Sequence, residues 1–335
     1  MIRLRRANPW AVVPGLAILA VLLAAPPFLN DYLLRLAITS LMFVSLGVSW
    51  NLAGGYAGQQ SLGTAALFGV GAYGAMYTAI HLTADVLPSL LVGGLAATVT
   101  SLVTYPAFRL HGIYFGIATL ALGESLRVIA EQFFPGQTSG LHVGVGFGVN
   151  QGEPYYWILG IALTTLAVVG WVIRSRIGLA LLAIREDEEA ARAIGVAAAR
   201  YKLAAFAISG FFAGLVGGFY ARFLGYIDPR TVFATDHSIN PIFVTMLGGI
   251  GTELGPVVGA VLWVLIQEIL RGLTGSPALN TIVYGVLLTA LVIASPRGIV
   301  GGIEDRLRRR RQSRQRAPSD QAGEASRVTR AASGY

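Results

Sequence analysis

RSRIGLALLAIREDEEAARAIGVAAARYK, residues 174–202, is a charged island in a chain that is otherwise almost wholly apolar. Six basic side chains, Arg174, Arg176, Arg185, Arg192, Arg200 and Lys202, surround the acidic run Glu186, Asp187, Glu188 and Glu189. Long apolar runs flank the island on both sides. About 20 mostly apolar residues cross a bilayer as a helix, so the island divides two groups of membrane spans. The reading is an all-α, polytopic integral membrane helix bundle.

Composition supports this. Of 335 residues, 54% are hydrophobic and 13% are charged, roughly half the charge of a soluble domain. The mean hydropathy is +0.64. The 42 glycines suit close helix packing in lipid, where small residues let backbones approach. Cysteine is absent, which removes disulfides and thiolate metal sites. The histidines at 81, 111, 142 and 237 are scattered and lack metal-ligand spacing. A net charge of +8 raises nucleic acid as a partner, but the basic residues gather at the two ends and in the island. That is a membrane-topology pattern.

Candidate spans are 12–29, 33–52, 61–80, 87–105, 113–130, 155–173, 204–224, 238–251, 256–272 and 279–295. The eighth is short and ends in Gly248-Gly249-Ile250-Gly251, so it is tilted, broken or re-entrant, and the count is ten, with eight or nine as alternatives. Arg3, Arg5 and Arg6 mark a cytoplasmic N-terminus over 1–11, and the arginines from Arg306 to Arg316 mark a cytoplasmic tail. Alternation through ten spans then puts Arg109 and the island inside. The organisation is spans over 12–173, a cytoplasmic loop over 174–203, spans over 204–300 and a disordered basic tail over 301–335. Ala24-Ala25-Pro26-Pro27 lacks a clean small-x-small exit, which favours an uncleaved anchor over a signal peptide. The tail is attracted to anionic lipid. No aromatic platform interleaves with its charge, which argues against nucleic acid.

Within the island, Asp187 or a neighbour caps a helix, and the acidic run suits the positive end of the helix dipole. Glu188 to Ile194 favours helix, Gly195 ends or bends it, and a second helix leads from Val196 into the next span. The result is a helix–glycine–helix knob. The small Ala190 and Ala191 let a partner surface approach. The knob is either a docking handle or merely a charged loop.

Polar groups at membrane depth are functional candidates. Glu124, Arg127 and Glu131 share one face of the fifth span, as a self-neutralised structural cluster or as part of a pathway or gate. Asn51, Gln59, Gln60 and Ser61 flank a glycine-rich break at 53–58, where non-helical backbone lines a cavity or packs closely. Ser238 and Asn240 precede Pro241 in the short eighth span, and broken spans point to transport sites. Gln267 and Glu268 are weaker candidates.

Glu189-Ala190-Ala191 followed by Gly195 resembles the cytoplasmic motif of permease subunits in bacterial binding-protein-dependent ABC importers. The wider context narrows the resemblance. Gly178 through Arg185 to Ala191, Ile194-Gly195-Val196, Lys202-Leu203 and Phe206 are similar to the LivM-type branch of the branched-chain amino acid permease family. So are Gly54-Gly55-Tyr56-Ala57-Gly58-Gln59-Gln60-Ser61-Leu62-Gly63, Gly69-Val70-Gly71-Ala72-Tyr73 and Gly112-Ile113-Tyr114-Phe115-Gly116. Thr119-Leu120-Ala121, Leu247-Gly248-Gly249-Ile250-Gly251-Thr252 and Gly255-Pro256-Val257-Val258-Gly259-Ala260 complete the set, over about 33–300. Two departures stand out: Thr138-Ser139-Gly140 where the family shows Thr-Gly-Gly, and no apolar–Pro pair over 198–202.

The resemblance implies that Glu189, Ala190, Ala191, Gly195 and Arg185 couple the chain to an ATPase. It also implies two ABC ATPase subunits, a second homologous permease subunit, and a periplasmic or lipid-anchored binding protein. No Gly-x-x-x-x-Gly-Lys-[Ser/Thr] segment is present, so ATP would be bound by the partners. The chain itself is expected to carry no cofactor and no catalytic site. The expected function is translocation of branched-chain or other hydrophobic amino acids across the inner membrane by alternating access. The alternatives are urea, short amides or sugars as cargo, and a self-contained secondary transporter or channel.

Overall fold

The computed structural model describes residues 19–110, 112–133 and 152–274, and the isolated positions 17, 147, 283, 285, 286 and 298. Among these, every regular element is helical. In chain order they are α1 (Asp31–Trp50), α2 (Thr64–His81), α3 (Val86–Val103), α4 (Ile113–Phe133), α5 (Gly152–Arg174), α6 (Arg176–Glu186), α7 (Glu188–Ala193), α8 (Ala198–Leu224), α9 (Pro229–Val232), α10 (Asp236–Gly248) and α11 (Gly255–Thr274). The expected N-terminus at 1–11, most of the last span at 279–295 and the tail at 301–335 lie outside the described residues. Of the first expected span, 12–29, residues 19–24 are helical.

Among the described residues, six helices are long and apolar enough to cross a membrane: Asp31–Tyr56, Val86–Val103, Ile113–Phe133, Gly152–Arg174, Ala198–Leu224 and Gly255–Gly272. Each coincides with an expected span. Two other expected spans form helices that fall short. The 61–80 segment is α2, whose threonines, glycines and tyrosines lower its hydropathy. It meets α3, α4 and α8, and most of it is buried, so its exterior faces protein more than lipid. The 238–251 segment is α10, only 13 residues long. At 1.5 Å per residue it reaches about 20 Å, two thirds of a bilayer core.

α8 is the central mast of the bundle. It packs backbone to backbone against α2 and α3 along a seam of small residues. A Cβ on Gly217 would lie 2.0 Å from the Phe68 carbonyl oxygen. Large side chains fill the remaining space, with Phe68, Phe115, Phe206 and Phe219 all buried. Aromatic contacts such as Phe115 on Phe206 tie α4 to α8.

α8 ends at Gly225, in the left-handed conformation at φ 65. The chain then turns back along α2. Phe233 stacks on Tyr73, and His237 stacks on Phe68 with ring centroids 4.1 Å apart. Irregular backbone is tolerated at membrane depth when protein covers it, and Ile227, Val232 and Phe233 are buried. α10 therefore starts beside the first turn of α2, where the Ser238 hydroxyl accepts from the Ala65 amide at 2.9 Å. It ends beside the last turns of α1, where the Thr245 hydroxyl meets the Gly47 carbonyl. The short helix fills only the half of the bundle nearest the charged island.

Candidate functional site: a charged knob seated on two broken helices

The island folds into α6, α7 and the first turns of α8. Ser175 starts α6, its hydroxyl accepting from the Ile177 amide at 3.1 Å. Asp187 breaks α6 from α7 and caps the latter, its Oδ1 accepting from the Glu189 and Ala190 amides at 2.9 and 3.0 Å. Gly195 closes α7 at φ +88. Its amide donates to the Arg192 carbonyl, and the Val196 amide donates to the Ala191 carbonyl, both at 3.0 Å. This is the paired hydrogen-bond ending that needs a left-handed residue. It folds Val196 over Ala191, which joins Ile184 and Ala198 in a small core.

The Glu189-Ala190-Ala191-x-x-x-Gly195 spacing thus has a structural basis. Ala191 points inward, Gly195 makes the reversal, and Glu189 and Ala190 remain exposed. Ile194, at the turn, is 79% exposed, and sequence reasoning missed it as a candidate. A large apolar side chain at the tip of an otherwise polar loop was the available signal.

Charge holds the knob together. Lys202 is buried, and its ammonium meets the Glu188 carboxylate, which also pairs with Arg192 at 2.5 Å. Burial pushes the Glu188 carboxyl up. The hydrogen bond and charge of Lys202, with Arg192, outweigh that and hold it below its ordinary value of 4.5.

The knob sits against two interruptions in the spans. α1 does not end cleanly; it widens into a π-helical turn, Asn51–Tyr56, and then leaves helical geometry until α2. The second interruption is the turn between α10 and α11, where Gly249 and Gly251 take φ 132 and 75. Asn51 joins the two. Its Oδ1 accepts from the Gly251 amide and its Nδ2 donates to the Thr252 carbonyl, both at 2.9 Å. Arg185, at the end of α6, donates from Nη1 to the Gly55 carbonyl at 2.7 Å. Arg174 pairs with Glu253 of the same turn at 2.6 Å. Beside them a groove of about 430 Å³ opens, walled by Val48, Leu166, Val169 and Trp171, with Arg174 and Glu253 at its edge. Replacing Asn51 with alanine strands one amide and one carbonyl. We expect a loss of about 1–3 kcal/mol, measured as a lower unfolding midpoint in detergent. An unchanged midpoint would show that the turn is held by other contacts.

The other sequence candidates divide. Ser61 is buried, its hydroxyl accepting from the Gly63 amide and its carbonyl from Trp50 Nε1. Gln59 is half-buried and Gln60 exposed on the same stretch. Ser238 is buried at the start of α10, and Asn240 is half-buried two residues further along it. Glu124 stands apart: it is exposed on α4 and pairs with Arg127, which in turn pairs with Glu131. Glu131 also meets Arg230 of α9 at 3.4 Å, at the end of the bundle away from the knob. At that same end, sequence reasoning missed Arg222. It is 2% exposed and donates to the Ala84 and Asp85 carbonyls at 2.7 and 3.2 Å. Among the described residues no group of three histidines or carboxylates is placed to hold a metal ion.

Several apolar spanning helices around a glycine-packed mast, with a capped charged knob on broken spans, define a polytopic helical membrane protein built for transport. The chain belongs to the family of permease components of branched-chain amino acid transport systems, whose pattern matches residues 32–292. It is 25% identical over 317 residues to the high-affinity branched-chain amino acid transport system permease protein LivM of Salmonella typhimurium, covering 85% of this chain and 74% of that one. Identity to LivM of Escherichia coli K12 is also 25%, over 316 residues, covering 85% and 73% of the two chains. The autoinducer 2 import system permease protein LsrC of Yersinia pseudotuberculosis is 25% identical over 230 residues, 65% of this chain and 63% of its own.

Proposed function

We propose that this chain is the transmembrane permease subunit of an ABC importer for branched-chain or other hydrophobic amino acids. It works by alternating access in the inner membrane, with its N- and C-termini in the cytoplasm. Two ABC ATPase subunits drive it, a second homologous permease subunit completes the pathway, and a periplasmic or lipid-anchored binding protein delivers cargo. In this reading the chain is not an enzyme and holds no cofactor, and ATP binds the partners. The similarity to LivM supports the cargo class. The similarity to LsrC, a permease of an autoinducer 2 import system, supports a second reading, the same machine with a different cargo. Uptake of radiolabelled leucine, in competition with unlabelled isoleucine, urea and sugars, separates them.

The observation that carries the proposal is the outward face of the knob. Glu189, Ala190 and Ile194 are exposed on a rigid support whose inward face is spent on its own core. A small flat residue beside one large apolar anchor and a charge is a fitting surface for a cleft, and such anchors dominate binding energy. Ile194→Asp is expected to weaken association with the ATPases by about 2 kcal/mol, about 30-fold in affinity. The measurement is recovery of the ATPases on the purified permease at limiting concentration. Recovery equal to the parent would remove this face from the docking surface.

A further inference from the structure

Arg185 is the sole guanidinium among the described residues that reaches from α6 to the Gly55 carbonyl; much of the residue is exposed, and its head group lies against both helix breaks. A Cβ on Gly251 would lie 2.5 Å from Arg185 Nη1, and one on Gly58 would lie 3.5 Å from Arg185 Cγ. A Cβ on Gly55 would lie 1.9 Å from Asn51 Oδ1 and 2.9 Å from the Gly251 amide nitrogen. The arginine therefore stands against both interruptions at once, in ordinary contact with Gly58 and closest to Gly251. The Gly55 carbonyl belongs to the last turn of the π-helical segment, where helix carbonyls lack partners within the helix. A cation there also meets the negative end of the α1 dipole. Asn51 then joins this turn to residues 251 and 252, so α6, the 51–58 break and the 249–254 turn form one hydrogen-bonded unit.

Packed spans resist gradual deformation, whereas irregular segments absorb dihedral change. α6 leads through Asp187 directly into the exposed knob. We propose that Arg185 is the positioning residue that transmits movement of the knob to the two helix breaks, so that the breaks, and not only rigid spans, change when the motor acts. Arg185 thus faces the permease rather than the ATPase. The inference rests on the reading of the knob as the ATPase contact.

The test uses the complete complex in liposomes, comparing Arg185→Gln and Arg185→Lys with the parent. Three quantities are read: recovered ATPase subunits, ATP-driven uptake, and hydrogen exchange of amides in 51–60 and 249–256 with and without nucleotide. The parent is expected to show a nucleotide-dependent change in both segments. Arg185→Gln is expected to retain the ATPases, to lose about tenfold or more in uptake, and to abolish the nucleotide-dependent exchange at 51–60. Arg185→Lys keeps the charge without the planar fork and is expected to fall between the two. If the glutamine variant does not accumulate in the membrane, the lysine variant carries the test. Uptake and exchange like those of the parent would overturn the proposal. Loss of the ATPases together with uptake would also overturn it, by assigning Arg185 to docking. Failure of the docking reading looks different: the parent chain itself would recover no ATPases.

Discussion

Glu188→Ala is expected to melt the knob while leaving the spans folded. The knob core consists of Ile184, Ala191 and Ala198, too little apolar surface to hold two helical segments alone. The side-chain tie from α7 to α8 is the ion pair of Glu188 with Lys202. Lys202 has no exposure to speak of, and removing Glu188 leaves its ammonium buried without a counter-charge. Breaking such a pair by removing one partner costs about 3 kcal/mol, a rise on the order of 100-fold in local opening. Trypsin cleavage within 185–202 measures this directly, and it should accelerate by that order. The double variant Glu188→Leu with Lys202→Met removes both charges and should return most of the protection, because apolar replacements of a buried pair are tolerated. Equal cleavage of the parent and the single variant would show that the knob is held from elsewhere.

The same pair sets a pH dependence. The Glu188 carboxyl is depressed below its ordinary 4.5, so its contribution is complete above that value and is lost as pH falls through the depressed one. Protection of the knob should therefore be flat from about pH 8 to pH 5 and fall only in more acidic solution. A loss of protection near neutrality would point to a different titrating group.

Gly217→Ala is expected to be among the most damaging single substitutions in the bundle. The added methyl would lie 2.0 Å from the Phe68 carbonyl oxygen, a backbone atom of α2 that no rotamer change can move. α2 and α8 must separate, and the loss spreads along a seam where Gly71 already meets Gly214. Overpacking of a tight interior costs about 1–3 kcal/mol, and a backbone obstacle belongs at the top of that range. The unfolding midpoint in detergent and the amount of protein in the membrane should both fall. Gly160→Ala is the matched control, since nothing lies within 4 Å of the new Cβ. It is expected to be neutral or to gain up to about 1 kcal/mol from helix propensity. Similar effects from the two substitutions would mean that the α2–α8 seam is loose.

The spans were legible because their signal is local. Twenty apolar residues announce a lipid-crossing helix whatever surrounds them, and α4 and α5 fall where their hydropathy places them. α2 and α10 were less legible for the same reason. A helix wrapped by protein needs no lipid-facing apolar exterior, and a helix of 13 residues is too short to give the signal of a full span. The knob was legible in part. Asp187 as a cap and Gly195 as a stop are chemistries of single residues, and both occur. Burial of Lys202 and exposure of Ile194 were not, since both depend on how the turn at Gly195 folds back.

Residue chemistry along the chain was thus enough to settle a multi-span helical bundle interrupted by one charged, helix–glycine–helix loop. It also marked Asn51, Gln59, Gln60, Ser61, Ser238 and Asn240 as polar groups near glycine-rich breaks. Their partners came from folding. Asn51 meets residues 200 and 201 positions away, and Arg185 meets one 130 positions away. No periodicity encodes such pairings. Hydrogen-bonding capacity is a property of one residue, but its satisfaction depends on which distant backbone the packing of α1, α6 and α11 brings within 3 Å. Glu124, equally polar, pairs with Arg127 three residues on, as helical spacing already placed it, whereas packing alone made Asn51 the joint between two broken helices.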